Sequence, residues 1–196
     1  MKTKAAFSLT ELLVVIAIMA LIGAVGFPAL SSLRSAKLVN SGNQIADLAN
    51  QARQTAISRN TSTALVMAIS TGDTKIDYRL FCLVEYKTTT QTWAMVSPWT
   101  LLPAEVIVDS TNSGVFVTDK PTLSPAIGDL KYAGKTISSG NYTYQVFLAD
   151  GTMESAQIKA NTMPVLRLVQ DHSSIQSNYY DIVLNVYTGI PKIERP

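Results

Sequence analysis

The sequence predicts an α+β fold: one long N-terminal α-helix packed on a C-terminal domain of antiparallel β-sheet. Three observations predict it. Leu12–Leu30 carries no formal charge and runs, without a strong stop, into an amphipathic stretch that reaches Arg59. Beyond Asn60 the apolar period shifts towards two, and Gly- and Asp-bearing turn signals separate short apolar runs. The hydrophobic fraction is 47% and the charged fraction 15%, the balance of a folded chain rather than a disordered one. With 196 residues there is room for one domain of ordinary size with an appended element.

The formal charge of +2 resides in Lys2 and Lys4, and the rest of the chain is balanced. No basic stripe recruits nucleic acid or anionic lipid. The one cysteine, Cys82, excludes an intramolecular disulfide and reads as a buried thiol in a strand.

The helix comes first. At ~1.5 Å per residue, Leu12–Leu30 approaches the ~30 Å hydrocarbon thickness of a bilayer. Glu11 stands at its head, and three accounts of that carboxylate stand side by side. In a cleaved secretory signal, Lys2 and Lys4 make the basic start, Leu12–Ile22 the apolar core and Ala24-Val25-Gly26 the small-residue site. Glu11 then has no role. In a plain membrane anchor, Ser8-Leu9-Thr10-Glu11 is a capping box, with Ser8 as the cap and Glu11 reaching back to a free backbone N–H. Arg34 and Lys37 match Lys2 and Lys4 in number, so charge alone gives this anchor little orientation.

The third account rests on a resemblance. "AAFSLTELLVVIAIMALIGAVGFPAL" resembles the N-terminal signal of type IV prepilins and type II secretion pseudopilins. In that family a short basic leader ends at Gly, Phe follows, Glu is the fifth mature residue, and an unbroken apolar helix continues. The resemblance implies a leader at Met1–Ala6, a mature chain starting at Phe7, Glu11 as its fifth residue and Pro28 where the family often has proline. Ala6 stands where the family usually has Gly. It further implies cleavage by a prepilin peptidase, methylation of the Phe7 amine, and a single-pass inner-membrane protein. Its N-terminus would be cytoplasmic and its C-terminal domain periplasmic until filament incorporation. In the family, Glu of an incoming subunit pairs with the terminal amine of the subunit already in place. Such pairing offsets an intramembrane carboxylate's cost of a few kcal/mol and favours the correct stagger.

Gly23, Gly26 and Pro28 are the candidate kink. Pro28 removes one helical hydrogen bond. Two readings stay open: small residues tolerated in a membrane helix, or a zone that stretches when subunits pack.

From Pro28 onward the helix turns amphipathic. Leu38, Ile45, Leu48, Ala49, Ala52 and Ala56 form the apolar stripe, and its alanines let a sheet approach closely. Ser41-Gly42-Asn43 weakens the middle and reads as a second kink. The whole helix, about Ser8 to Arg59, would be on the order of 75 Å long. "LANQARQTAISRNTSTALVM" (Leu48–Met67) resembles the helix-to-strand junction of the H minor pseudopilins and the fimbrial-T minor pilins, through Ala52, Arg53, Ala56, Ile57, Arg59 and Asn60. By spacing alone, Arg53 and Arg59 read as a solvated helix face, and positive charge suits the last turn.

Strands follow over Ser62–Ser70, Tyr78–Tyr86, Gln91–Ser97, Glu105–Val108 and Val115–Thr118. Asp119–Gly140 reads as loop. Tyr142–Ala149 leads into Asp150-Gly151, a two-residue hairpin signal, and Met153–Lys159, Val165–Gln170 and Asp181–Tyr187 follow. Thr188-Gly189 turns the chain into a last short strand. "VFLADGT" and "IVLNVYTGIPKI" resemble two hairpins of the same subgroup, whereas the middle of the chain matches it poorly. That middle, with "SPWTLLP", is similar to the pilin-like Verru_Chthon cassette protein D. The expected organisation is a leader at 1–6, a transmembrane and filament-core helix at 7–30, its amphipathic continuation at 31–60 and a β-rich domain at 61–196.

Chemistry is sparse. The one histidine, His172, sits between Asp171 and Ser173, and chain neighbours cannot converge on one bond as a triad must. No His/Cys cluster suits zinc or copper, and Asp109, Asp119 and Asp129 are too far apart for a loop calcium site. No strand–glycine loop–helix cradles phosphate. Trp93 and Trp99 read as core packing, with partner anchoring as the alternative. No catalysis, cofactor or metal is expected. The expected function is that of a structural subunit of a type II secretion pseudopilus or type IV pilus, with prepilin peptidase, other pilin subunits and the inner membrane as partners. The alternative is an anchored or secreted β-domain that binds a ligand. DNA would need more than Lys192 and Arg195 against Glu194, so nucleic acid is not expected as a partner.

Overall fold

The computed structural model describes residues 8–118, 120–154, 163–171 and 178–195, and for 23–34, 114 and 115 it describes the backbone alone. Contacts divide the chain into Met1–Ala36 and Lys37–Pro196.

Helix α1 (Leu9–Arg59) has 51 residues and runs unbroken through Gly23, Gly26 and Pro28. In the first unit the large aliphatic side chains from Leu12 to Ile22 are 47–69% exposed. In the second, all six residues of the expected apolar stripe, Leu38 to Ala56, are buried. At Ser41-Gly42-Asn43, where the sequence reads as a second kink, the backbone stays helical. Gly42 is instead a place of close approach: a Cβ there would overlap the ring of Tyr180, whose hydroxyl donates to Asn43 Oδ1.

The first sheet contains β1 (Thr63–Ala68), β2 (Leu80–Lys87), β3 (Thr92–Met95), β4 (Thr100–Leu101), β8 (Tyr142–Phe147) and β9 (Met153–Glu154). Its order is β3-β2-β1-β8-β9, with β4 also on β2, and its pairings are antiparallel. The second sheet joins β5 (Val106–Val108), β10 (Val165–Gln170), β11 (Tyr179–Leu184) and β12 (Pro191–Glu194) in the order β12-β11-β10-β5. Met153 N–H donates to Val186 O at 2.8 Å, tying the first sheet's β9 to the chain just beyond β11.

Two cores result. The helix stripe packs with Leu65, Met67, Phe81, Leu83 and Phe147 of the first sheet and with Leu166, Leu168, Tyr180, Ile182 and Leu184 of the second. On the first sheet's other face, Val66, Cys82, Val84, Tyr142 and Val146 are covered by Ile76, Ile127, Leu130 and Ile137. Every residue of β1 and β8 is therefore buried, which hides the alternation expected of a half-solvated strand.

Two segments differ from the sequence reading. Val115–Thr118, expected as strand, lies in a short helix, α2 (Gly114–Thr118), with Phe116 in the core. Asp109 starts this turn of structure by accepting from the Thr111 and Asn112 backbone N–H groups at 2.9 and 3.3 Å. The stretch to Gly140, expected as loop, carries a hairpin of β6 (Leu130–Tyr132) and β7 (Lys135–Ile137), turned at Ala133-Gly134 in left-handed conformation. It covers the far face of the first sheet. Asp119 and His172 lie outside the described residues, as do the end of the Met153–Lys159 strand and residues 1–7.

Candidate functional site

The candidate site begins at the head of α1. Ser8 and Glu11 form a reciprocal capping box: Glu11 N–H donates to Ser8 Oγ at 3.2 Å, and Ser8 N–H donates to Glu11 Oε2 at 2.9 Å. The Ser8 hydroxyl also reaches Glu11 Oε2 at 3.0 Å and lies 2.9 Å from Thr10 Oγ1. The cap satisfies backbone donors that the helix itself leaves open. Of the expected processing residues, Ala6 and Phe7 lie outside the described residues. Gly23, Gly26 and Pro28 lie within the helical backbone. Among the described residues no helix is long and apolar enough to cross a membrane. The uncharged run Leu12–Leu30 enters that description only in part, since the side chains of 23–34 fall outside it.

The second group lies where α1 ends. Arg53 and Arg59, read from spacing as solvated, both hold protein partners. Arg53 Nε donates to Thr188 O at 2.6 Å. Arg59 Nη1 meets Glu85 Oε2 at 2.5 Å, and Lys87 Nζ meets the same oxygen at 2.8 Å. Burial acts to raise the Glu85 pKa, but the hydrogen bonds and charges of Lys87 and Arg59 outweigh it and hold the carboxyl below its ordinary range. Helix spacing could not reveal either partner, because both come from strands or turns far along the chain.

Two glycines complete this end. Gly151 and Gly189 have φ of +85° and +64°, the left-handed conformation that their hairpin turns require. A Cβ on Gly189 would run into the Gly151 carbonyl, and one on Gly151 would stand 3.3 Å from Arg53 Nε and 2.9 Å from Ile57 Cδ1. The junction motif and both hairpin motifs thus meet at one place in the fold.

The remaining candidates are structural. Cys82 is buried in β2, and burial pushes its thiol pKa up, away from reactivity. Trp93 and Trp99 pack against the far-face core and donate Nε1–H to Pro125 O and Lys131 O at 2.9 and 2.7 Å. Arg167 binds Asp181 through two hydrogen bonds of 2.7 and 2.6 Å and stacks on Tyr179. That bidentate hydrogen bond raises the pKa of Arg167 further. Arg79 pairs with Asp171. At the C-terminus Lys192 pairs with Glu194 at 2.7 Å and Arg195 lies over Tyr180, so both basic residues weighed for DNA contact are engaged within the domain. No group of three metal-ligating side chains occurs among the described residues.

No protein-family model matches the sequence, and no curated protein matches it significantly. Solved structures do. A crystal structure of the minor pseudopilin EPSH from the type II secretion system of Vibrio cholerae aligns over 83% of this chain and 96% of its own, with TM-score 0.50 and 11% identity. The type IV minor pilin FimU of Pseudomonas aeruginosa aligns over 81% and 97%, with TM-score 0.46 and 11% identity. At such identity the first likeness speaks to fold: the helix packed on antiparallel sheet is the pilin-like α+β architecture expected from the sequence.

Proposed function

We propose that the chain is a minor pilin or pseudopilin, a structural subunit that enters a secretion or pilus filament through its N-terminal helix. The observation that carries this reading is a helix half whose apolar side chains are exposed, headed by a single carboxylate at Glu11. A row of aliphatic side chains at this exposure costs too much in water to persist without lipid or other helices around it. The pilin-like fold and the prepilin-like N-terminus support the same reading.

In this reading prepilin peptidase cuts after Ala6, and the Phe7 amine is exposed and methylated. The apolar helix holds the protein in the inner membrane with the β-domain in the periplasm. Glu11 of an incoming subunit then pairs with the Phe7 amine of the subunit already placed. Gly23, Gly26 and Pro28 form a zone where helical hydrogen bonding is weakest, suited to stretching as subunits pack. The β-domain needs no catalytic group for this role.

A specific observation favours a second reading. The Ser8–Glu11 capping box gives the carboxylate a complete local role in an uncleaved, anchored β-domain. The mature N-terminus separates the readings. N-terminal sequencing of membrane-purified protein is expected to give Phe7; Met1 would establish the plain anchor, and Phe27 the secretory signal. In cells, Glu11→Ala is expected to insert and be cleaved but to fail in filament incorporation. Normal incorporation would remove Glu11 from the assembly role.

A further inference from the structure

Among the described residues of the domain, Arg53 is the guanidinium without a counter-charge. Arg59, Arg79 and Arg167 each meet a carboxylate, and Arg195 lies on an aromatic ring. Among the described residues Arg53 has a single hydrogen bond, from Nε to the Thr188 carbonyl. No carboxylate among the described residues lies in ion-pair range of its remaining N–H donors. Asp150 precedes Gly151 in the hairpin, but its Oδ1 accepts from the Thr152 N–H and hydroxyl at 2.9 and 2.7 Å, and it forms no ion pair with Arg53.

The surroundings of this cation are built from backbone. Gly151 and Gly189 pass beside it in conformations that side chains rarely adopt, so no side chain at either position screens it. Around that frame stand three exposed apolar residues. Ile57 lies one helical turn on from Arg53 and is 43% exposed, while Tyr187 and Ile190, on either side of the Thr188-Gly189 turn, are 56% and 49% exposed. A guanidinium with donors to spare, one helical turn from an exposed Ile and beside a turn flanked by exposed Tyr and Ile, has the composition of a binding hot spot.

We propose that this end of the domain is a carboxylate-recognition site for a protein segment in which one Asp or Glu is flanked by apolar residues. The planar fork of Arg53 takes the carboxylate, and Tyr187, Ile190 and Ile57 exclude water from the contact. Charge selects this occupant. Nucleic acid and anionic membranes bind through several cations acting together; at this end Arg59 and Lys87 share Glu85, and among the described residues Arg53 alone is without a carboxylate. The inference stands on the β-domain alone and survives or fails separately from the filament reading.

The test uses the full chain in zwitterionic detergent and two capped peptides, acetyl-Leu-Glu-Leu-amide and acetyl-Leu-Gln-Leu-amide. NMR follows the Arg53 Nε–Hε resonance and the amides of Gly151 and Gly189. The Glu peptide is expected to move these signals with saturation in the millimolar range, and the Gln peptide to bind about tenfold more weakly. Tyr187→Ser, a rim change outside the Arg53–Thr188 hydrogen bond, is expected to weaken the Glu peptide about threefold or more without shifting the unfolding midpoint. Equal response to both peptides, shifts located elsewhere, or no saturable shift would overturn the site. So would movement of the same signals by phosphatidylglycerol nanodiscs but not by the Glu peptide, which would make the surface a membrane contact.

Discussion

Leu13 and Ile45 belong to one helix and have opposite surroundings. Leu13 is 57% exposed and Ile45 is 1% exposed, although both sit in regular α-helical backbone of the same element. The first half of α1 is apolar on every side, and its large aliphatic side chains up to Ile22 are exposed. The second half confines its apolar residues to a stripe and fills the rest with Asn, Gln and Ser. A helix apolar all round is made for burial on all sides, whereas an amphipathic one is made to cover a sheet. The boundary between the two compact units, after Ala36, falls where the pattern changes. Local helix propensity is shared by both halves, so what differs is the solvent each half is written for.

The largest break in this contrast should come from making the same truncation twice. Ile45→Ala opens a cavity under both sheets and is expected to destabilise the domain by about 2–5 kcal/mol. Ile16→Ala removes the same atoms from an exposed position and is expected to leave domain unfolding within about 0.5 kcal/mol of wild type. Urea unfolding of the full chain in detergent, followed by tryptophan fluorescence, measures both; equal losses would mean that the first half also belongs to the domain's cooperative unit. Gly42→Ala comes next. It improves helix propensity yet drives a methyl into the Tyr180 ring, and overpacking of this kind costs about 1–3 kcal/mol. Stabilisation by this change would show that the helix does not press on the Tyr180 ring.

Particular residues show what the sequence made legible. The apolar stripe from Leu38 to Ala56 was readable because the 3.6-residue period is a local signal, and Val165–Gln170 because its bounding turns are explicit. Both hairpins were readable through Asp150-Gly151 and Thr188-Gly189, whose turns demand glycine. Val115–Thr118 misled: its β-branched residues suggest strand, but the Asp109 turn and the burial of Phe116 close a helical turn instead. The β6–β7 hairpin hid among Pro and Gly residues because its strands are only three residues long. Arg53 was visible as a motif member, but its role was not. Its partner is Thr188, 135 residues away, and no local period carries that information.

The helix C-terminus offers a smaller effect that depends on pH. Glu85 is 5% exposed and is shared by Arg59 and Lys87. Its folded pKa is depressed below the ordinary value of 4.5, so its contribution to stability is present above pH 4.5. That contribution is lost as pH falls through the folded value. Glu85→Gln is therefore expected to lower stability at pH 7 and to reduce the loss seen on acidification below pH 4.5. Asp109 is depressed in the same direction: burial acts to raise its pKa, and hydrogen bonds from Asn112 and Thr111 outweigh that, so a residual acid slope should remain in the variant. Parallel pH profiles for variant and wild type would place the titrating group elsewhere.

The smallest expected effect on folding carries the sharpest functional division. At the head of α1 the same carboxylate can cap its own helix or neutralise an amine from another chain, and two substitutions separate these tasks. Glu11→Gln keeps an oxygen that can accept the Ser8 N–H, as glutamine does in a capping box, but it removes the charge. Ser8→Ala keeps the charge and removes the hydroxyl that accepts the Glu11 N–H, which costs the first helical turn about 1 kcal/mol. Neither change should move the unfolding midpoint of the β-domain, because neither residue reaches its core. Filament incorporation should then follow charge: lost in Glu11→Gln and retained in Ser8→Ala. The reverse order would make Glu11 a helix cap first, and would shift the search for whatever sets the stagger between subunits to other positions along the exposed half of α1.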